Sequence, residues 1–403
     1  MATKKENIIK PVKSNMDYSA KIKVVGVGGG GGNAISRMND AFTLRNVDFI
    51  AINTDSQDLD ECGVKQKIYV GKNLTRGLGT GMNPELGRQA VEESRSEITE
   101  ALKGADLVFI TAGLGGGSGS GGSPGVAEIA REVGALTVGV VTKPFAFEGS
   151  QRARIANDAL VKLKEKVDAL IVIPNDRIFS IIQKDTPIIK AFEYIDDILK
   201  NAVQGVAEMI AEPGIINVDF ADVKAIMQNA GSALVGIGIA TGQDRATTAV
   251  AQAINSPLLE ASIEGAKGVL FAVTGTKNLK MSEINDVAKI ISESVDPAAK
   301  IIFGAYYDRA LTKEQIKVTL VATGFNGSSM KGDSGSSFSD LFSASSSISS
   351  ISVPVPSVRD SQNNDRNEIK DEKLNEKASG DKNSKKSASE VWDIPAFLRK
   401  KKK

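Results

Sequence analysis

The sequence predicts an α/β fold, with a mostly parallel, helix-covered sheet followed by a second, smaller α/β region. Three observations predict it. Short apolar runs alternate with segments of helical spacing through the first half of the chain. Two of those runs end in glycine-rich loops, and one long amphipathic segment leads into a further set of strands and helices. Strands alternating with helices are the mark of βαβ units and a parallel sheet.

Taken in order, residues 1–20 read as a flexible polar arm. Ile22–Val27 is a short apolar strand ending in glycines, and Asp48–Asn53, Leu107–Thr111, Thr137–Thr142 and Ala169–Pro174 are four more. Helical stretches fit at Asn83–Leu102, Val126–Val133 and Arg152–Lys166. In Pro187–Glu212 the apolar residues Ile188, Phe192, Ile195, Leu199, Ala202, Val206 and Met209 recur in alternating steps of four and three, the helical period. A helix of that length spans roughly 36 Å and stops at Pro213-Gly214. Beyond it, Ala233–Ala240, Gly268–Thr274, Lys300–Tyr306 and Lys317–Ala322 read as strands, with helices at Arg245–Ile254 and Met281–Val295. The serine-dominated stretch 327–352 and the mixed-charge stretch 359–390 cannot bury enough apolar surface to offset their ordering entropy, so both are predicted to be disordered. An apolar island follows at Val391, Trp392, Ile394, Pro395, Phe397 and Leu398, a pattern that suits a peptide folding on a partner.

Composition narrows the chemistry. The 403-residue chain is 41% hydrophobic with a net charge of +1, which argues against a general nucleic-acid binder. Arg399–Lys403 alone carry five positive charges, so the body is mildly acidic. A single cysteine, Cys62, precludes an internal disulfide framework and fits a reducing compartment. With no histidine, a Ser-His-Asp triad, a Cys-His pair and a His-ligated zinc are excluded, leaving carboxylates, amides, backbone N–H groups, Arg, Lys or a hard cation. No secretory signal and no run of about 18 apolar residues occurs. A cytoplasmic protein with no direct membrane span is expected.

The glycine loops carry the strongest signal. Gly26–Asn33 follows a strand, opens a helix and satisfies G-x-G-x-x-G through Gly26, Gly28 and Gly31, with Asp55 placed where a dinucleotide fold keeps its ribose acid. Alone, it reads either as a dinucleotide site or as a tight strand–helix turn. Gly113–Gly122 also lies between a strand and a helix, and its serines add donors for phosphate oxygens. Two such loops at the carboxyl ends of strands in one sheet suit a ligand with several phosphates. No G-x-x-x-x-G-K-[ST] is present, so this is not a P-loop enzyme.

At this point the chain resembles a known family. GGGSGSG at 115–121 is similar to the GGGTG[ST]G signature of the tubulin/FtsZ GTPase family. GVGGGGGN at 26–33, NTD at 53–55, GLGTGMNPE at 77–85, VTKPFAFEG at 141–149, IPNDR at 173–177, NVDFADV at 217–223 and DIPAFLR at 393–399 match the family's bacterial cell-division members in order. The resemblance implies a Rossmann-like parallel-sheet GTPase domain at 21–186, a central helix at 187–212 and a smaller catalytic-loop domain at 213–325. A disordered linker at 326–390 and a partner-binding peptide with a basic tail at 391–403 would follow. It implies GTP and GDP as ligands, with Mg²⁺ held through few protein ligands.

For the site, the resemblance implies that Gly29, Gly30, Gly31, Gly32 and Asn33 cradle phosphates, while Gly117, Ser118 and Gly119 hold the β- and γ-phosphates. The turn Gly79–Asn83 faces the γ-phosphate. Glu148 suits ribose hydroxyls and Arg152 offsets phosphate charge. Phe192 either stacks on the purine or packs in the core, and Asp196, one turn on, accepts from guanine. Asn53 and Asp55 are candidates for nucleotide or Mg²⁺ contact. Asn217, Asp219 and Asp222 form a catalytic segment that enters the neighbouring subunit's pocket, although either aspartate also suits a helix cap. Self-assembly into a filament at the mid-cell division ring, and capture of membrane-tethering and regulatory division proteins through Val391–Arg399, complete the expectation. Ser118 stands where the family usually has Thr. The alternative, an NAD-dependent oxidoreductase, rests on the first loop alone.

Overall fold

A computed structural model of the chain describes residues 20–325 apart from 42–45, 184, 257–261, 309–310 and 313. The predicted linker (326–390) and tail peptide (391–403), and all but the last residue of the predicted arm (1–20), lie outside the described residues. Among the described residues, no helix is long and apolar enough to cross a membrane.

The chain begins with β1 (Ile22–Val27), α1 (Gly28–Ala41), β2 (Val47–Asn53), α2 (Ser56–Glu61), β3 (Gln66–Tyr69), α3 (Lys72–Thr75), α4 (Pro84–Glu93) and α5 (Arg95–Leu102). Next come β4 (Leu107–Gly113), α6 (Ser118–Glu132), β5 (Leu136–Lys143), α7 (Ser150–Lys166) and β6 (Ala169–Pro174). These strands run parallel in the order β3-β2-β1-β4-β5-β6, with Ile22 opposite both Val47 and Leu107. Helices cover both faces. One face buries Phe109, Ile35, Met38 and Val206, and the other buries Ile110, Val126, Leu160 and Ile98. Burial on both sides explains why β4 is a continuous apolar run rather than an alternating one.

The predicted long helix is α8 (Ile188–Ala211). Its apolar stripe, Leu199, Ala202, Val206 and Met209, is buried against the sheet, and Ile195 packs on Phe145 and Ile178. A short α9 (Phe220–Met227) leads to β7 (Gly231–Thr241), α10 (Arg245–Ile254), β8 (Gly268–Gly275), α11 (Met281–Ser294), β9 (Lys300–Tyr307) and β10 (Gln315–Thr323). The sheet continues through β7-β10-β8-β9, with β10 antiparallel to both its neighbours. The join is narrow, because β6 and β7 pair only over Ala169–Ile171 and Gly231–Ala233.

Three expectations are corrected. Both glycine loops are largely helical: α1 begins at Gly28 and α6 at Ser118, eight residues before the predicted start at Val126. Glycine lowers helix propensity, but close packing overrides it here. Asn83–Leu102 divides in two at Ser94, whose N–H bonds back to Val91 and Glu92 and which starts α5. The elements β3, α2 and α3 are additions to the predicted set, because they are too short to show a period.

The far end of α8 is fixed by a buried bond, in which the Tyr306 hydroxyl of β9 donates to the Met209 carbonyl at 2.8 Å. Burial pushes the Tyr306 hydroxyl above its ordinary pKa, so it stays a donor. Tyr306→Phe should lower unfolding free energy by about 1–2 kcal/mol, since it strands that carbonyl. A shifted urea midpoint at unchanged m would report it.

Candidate functional site

At the carboxyl ends of β1 and β4, α1 and α6 start so close together that no side chain fits between them. Gly28 has φ +72°, and a Cβ there would lie 2.8 Å from the Gly119 nitrogen. On the other flank of α6, a Cβ on Gly121 would overlap the Pro84 carbonyl oxygen at the start of α4. The glycine repeat is therefore first a packing solution. Its consequence is electrostatic: two helix N-termini, each worth about half a positive charge, open side by side onto a cavity of about 650 Å³. Free N–H groups and paired positive helix ends make an anion site.

The cavity brings together most of the predicted residues. Its wall includes Gly29, Gly30 and Asn33 from α1, Gly117 just before α6, Ser118 and Gly119 from α6, Glu148 and Arg152, and Phe192 and Asp196 from α8. Gly31 and Gly32 are not on this wall. Gly31 is buried behind it, where a Cβ would meet the Thr111 carbonyl, and Gly32 turns toward Cys62. Asn53 and Asp55 are also off the wall. The Asn53 amide donates to Asp58 at 2.6 Å and its oxygen accepts from the Thr54 N–H at 2.8 Å, while Asp55 caps α2. The turn Gly79–Asn83 sits behind Gly117 as a support: Asn83 caps α4, and Thr80 lies 3.3 Å from the Ser118 hydroxyl.

Ser118 ties this end of the sheet together. Its hydroxyl is also 2.6 Å from Thr54 Oγ1, so one side chain joins the β2–α2 turn, the 79–83 turn and α6. Ser120 supports the same loop from within, accepting the Gly115 N–H at 2.9 Å.

Glu148 and Arg152 form an i, i+4 ion pair at 2.8 Å, and the second Glu148 oxygen accepts the Phe145 N–H at 2.9 Å. Phe192 is 42% exposed and stands edge-on to Phe145 at 5.7 Å, leaving a ring face free of the core. Asp196 lies 3.1 Å from the Arg37 guanidinium. Burial raises its pKa to about 6 although Arg37 opposes the shift. Its carboxyl thus sits half-way between acceptor and donor at mildly acid pH.

The cavity also contains residues that the sequence does not single out: Ser36, Arg37, Asp58, Glu61, Cys62, Thr142 and Asn175. Arg37 lies one turn beyond Asn33 on the same face of α1, a signal present in the spacing. Asn175 lies within IPNDR, is 8% exposed and has an Oδ1 with no hydrogen-bond partner. Asp58 carries no sequence mark; burial and the nearby Asp55 raise its pKa.

The structure does not bring Asn217, Asp219 and Asp222 to this cavity. They follow the far end of α8, whose 24 residues span roughly 36 Å. Asp219 is exposed and Asp222 half-buried.

Comparison with known proteins gives consistent matches. Residues 21–183 match the Tubulin/FtsZ family, GTPase domain, and residues 231–326 match the FtsZ family, C-terminal domain. Among solved structures, an empty FtsZ dimer from M. jannaschii shares 48% identity at a TM-score of 0.72, covering 76% of this chain and 88% of that one. A tryptophan-to-tyrosine mutant of M. jannaschii FtsZ shares 47% identity at 0.72, covering 76% and 92%. CetZ2 from Haloferax volcanii, a GTPγS-bound protofilament, shares 22% identity at 0.67, covering 76% and 93%, and supports the fold alone.

Because the Asp196 pKa is raised in the folded chain, the folded state takes up protons more readily between pH 4 and 6. The stabilising contribution is fully present below 3.8 and is lost as pH rises through about 6. Asp196→Asn removes a buried charge. Without nucleotide, its stability relative to the parent chain should therefore grow from pH 4 to pH 7 and then level off, by about 1–3 kcal/mol. Denaturation midpoints at both pH values measure it, and a pH-independent difference would contradict it.

Proposed function

The chain belongs to the tubulin/FtsZ GTPase family, and from that premise we propose that it binds GTP in the α1–α6 cavity, assembles head to tail and hydrolyses GTP between subunits. The observation that carries this reading is that the 217–222 segment lies beyond the far end of α8, whose residues line the cavity only up to Leu199, about 18 Å along the helix from that end. A binding half at one end and an acidic half at the other suit a heterologous contact, which propagates as a filament when it does not close. The dimer form of the matched M. jannaschii FtsZ supports the same reading. An NAD-dependent oxidoreductase is set aside, since the chain's family is one of GTPases.

In the cavity, the N–H groups of Gly29, Gly30, Gly117 and Gly119 take the phosphates, and the Ser118 hydroxyl adds a donor. Arg152 offsets charge, Glu148 accepts ribose hydroxyls and Phe192 stacks on the base. The Asp196 carboxylate accepts from the guanine N–H donors and must be ionised to do so, so binding weakens below about pH 6. Cleavage falls to the next subunit's 217–222 segment, where the Asp222 carboxylate polarises the attacking water.

Among the described residues there is no group of three or more His, Cys, Asp or Glu placed to hold a metal ion. Mg²⁺ would be held mainly by phosphate oxygens and water, with Asp58 on the cavity wall as a carboxylate candidate. When bound, the ion would supply charge neutralisation on the phosphates.

The division into a nucleotide domain (21–186), connecting helix (187–212) and catalytic-loop domain (213–325) follows from the same reading. The filament forms the mid-cell division ring, and Val391–Arg399 recruits membrane-tethering and regulatory division proteins.

Asp222→Ala should bind GTP and assemble but release phosphate about 10²-fold more slowly or worse, and the parent's specific activity should rise above a threshold protein concentration. Phosphate release and light scattering followed together test both. Normal turnover in the variant, or activity proportional to enzyme at every concentration, would overturn the shared site. Removing residues 391–403 should spare hydrolysis and abolish recruitment to membrane bearing the tethering partner. A co-sedimentation assay decides it.

A further inference from the structure

Three hydroxyls meet at the start of α6. Ser118 Oγ lies 2.6 Å from Thr54 Oγ1 and 3.3 Å from Thr80 Oγ1. Thr54 is 1% exposed and Thr80 8%, whereas Ser118 stands on the cavity wall. The backbone fixes both threonines. The Thr54 N–H donates to Asn53 Oδ1 at 2.8 Å, and the Thr54 carbonyl accepts the Thr75 hydroxyl at 3.0 Å. The Thr80 carbonyl accepts the Asn83 N–H at 3.0 Å. For each threonine hydroxyl, Ser118 is the one hydrogen-bond partner among the described residues.

The count of protons is then restrictive. A hydroxyl donates one hydrogen bond and accepts two. A buried hydroxyl without an acceptor is costly. When Thr54 and Thr80 both donate to Ser118, its two acceptor positions are filled. Its own proton then has no acceptor left among the described residues, and the cavity is the direction that remains. Serine also lacks the β-branch that stiffens χ1 in threonine. The two threonines supply the rotamer restraint that Ser118 itself does not have.

We propose that Thr54 and Thr80 are positioning residues for phosphate: by donating to Ser118 they commit its single hydroxyl proton to the cavity, where a phosphate oxygen accepts it. This rests on the reading that the cavity binds GTP. Neither threonine is on the cavity wall, so each acts through Ser118 and not by touching the ligand. Valine keeps the shape of threonine and removes the hydroxyl, so substitution separates the proton from the packing.

The experiment measures dissociation constants of GTPγS and guanosine for the full-length protein, below the concentration at which it assembles, by competition with a fluorescent guanine nucleotide. Ser118→Ala should weaken GTPγS binding about 10- to 150-fold, the loss of a hydrogen bond to a charged acceptor. Thr54→Val and Thr80→Val should each weaken it about 2- to 10-fold, and guanosine, which carries no phosphate, by less than each weakens GTPγS. In a Ser118→Ala background neither valine should weaken GTPγS further, because no hydroxyl is left to orient. Thr80→Ser, which keeps a hydroxyl, should lose less than Thr80→Val.

Either valine variant at the parental GTPγS affinity would overturn the positioning role of that threonine. So would a valine effect that persists without Ser118, an equal loss of guanosine, or Thr80→Ser as weak as Thr80→Val. Ser118→Ala at the parental affinity would instead overturn the phosphate reading of Ser118 itself, whatever the threonine series does.

Discussion

Everything at the nucleotide end depends on one steric constraint: α1 and α6 begin within backbone contact of each other, where Gly28 meets Gly119. A side chain at Gly28 would run into the Gly119 backbone and push the helices apart, and one at Gly119 would meet the Gly113 carbonyl at the end of β4. The adjoining supports follow from that contact. Ser118 can reach both Thr54 and Thr80 only because α6 starts where it does. The start of α4 can lie against α6 only because Gly121 leaves room for the Pro84 carbonyl. The anion-binding character of the cavity is then a by-product of packing, since two helix dipoles are aimed at one volume without any cluster of cationic side chains.

The second organising element is α8. Its first turns supply Phe192, Asp196 and Leu199 to the cavity wall, and its last turn is tied to β9 through Tyr306. Between them the helix is buried along one stripe and behaves as a strut of fixed length. An ion pair between Glu208 and Lys317 at 2.8 Å adds a link from the strut to β10. The nucleotide end and the acidic end are therefore held at a set separation within one chain. The proposed completion of the site by a neighbouring subunit rests on that separation.

The residues at the two ends also differ in how they use their carboxylates. In the cavity, Asp196 sits against Arg37 in a largely buried position that lifts its pKa to about 6. At the far end, Asp219 is exposed and spends an oxygen on a backbone amide, with Asp222 one turn on. Burial shifts the titration of the first group, while Asp219 keeps the ordinary exposure of a surface carboxylate.

The strands, the long helix and the α/β class are legible in the sequence because they rest on local periodicity: Ile22–Val27, Ala169–Pro174 and Arg245–Ile254 coincide with their observed bounds. Most of the cavity wall is legible too, through the glycine motifs and the family resemblance they carry. What sequence does not supply is contact between distant segments. Glycine runs read as loops, yet they are the first turns of α1 and α6, because the packing of Gly28 on Gly119 outweighs glycine's poor helix propensity. Gly31 reads as a phosphate ligand by its place in the motif, but it faces the Thr111 carbonyl. Arg37, Asp58 and Asn175 join the site only through the stacking of α1, α2 and the end of β6 around one volume. Local pattern determines what each segment becomes. Which residues share a cavity is decided by tertiary packing, where steric exclusion between backbones acts across tens of residues of sequence.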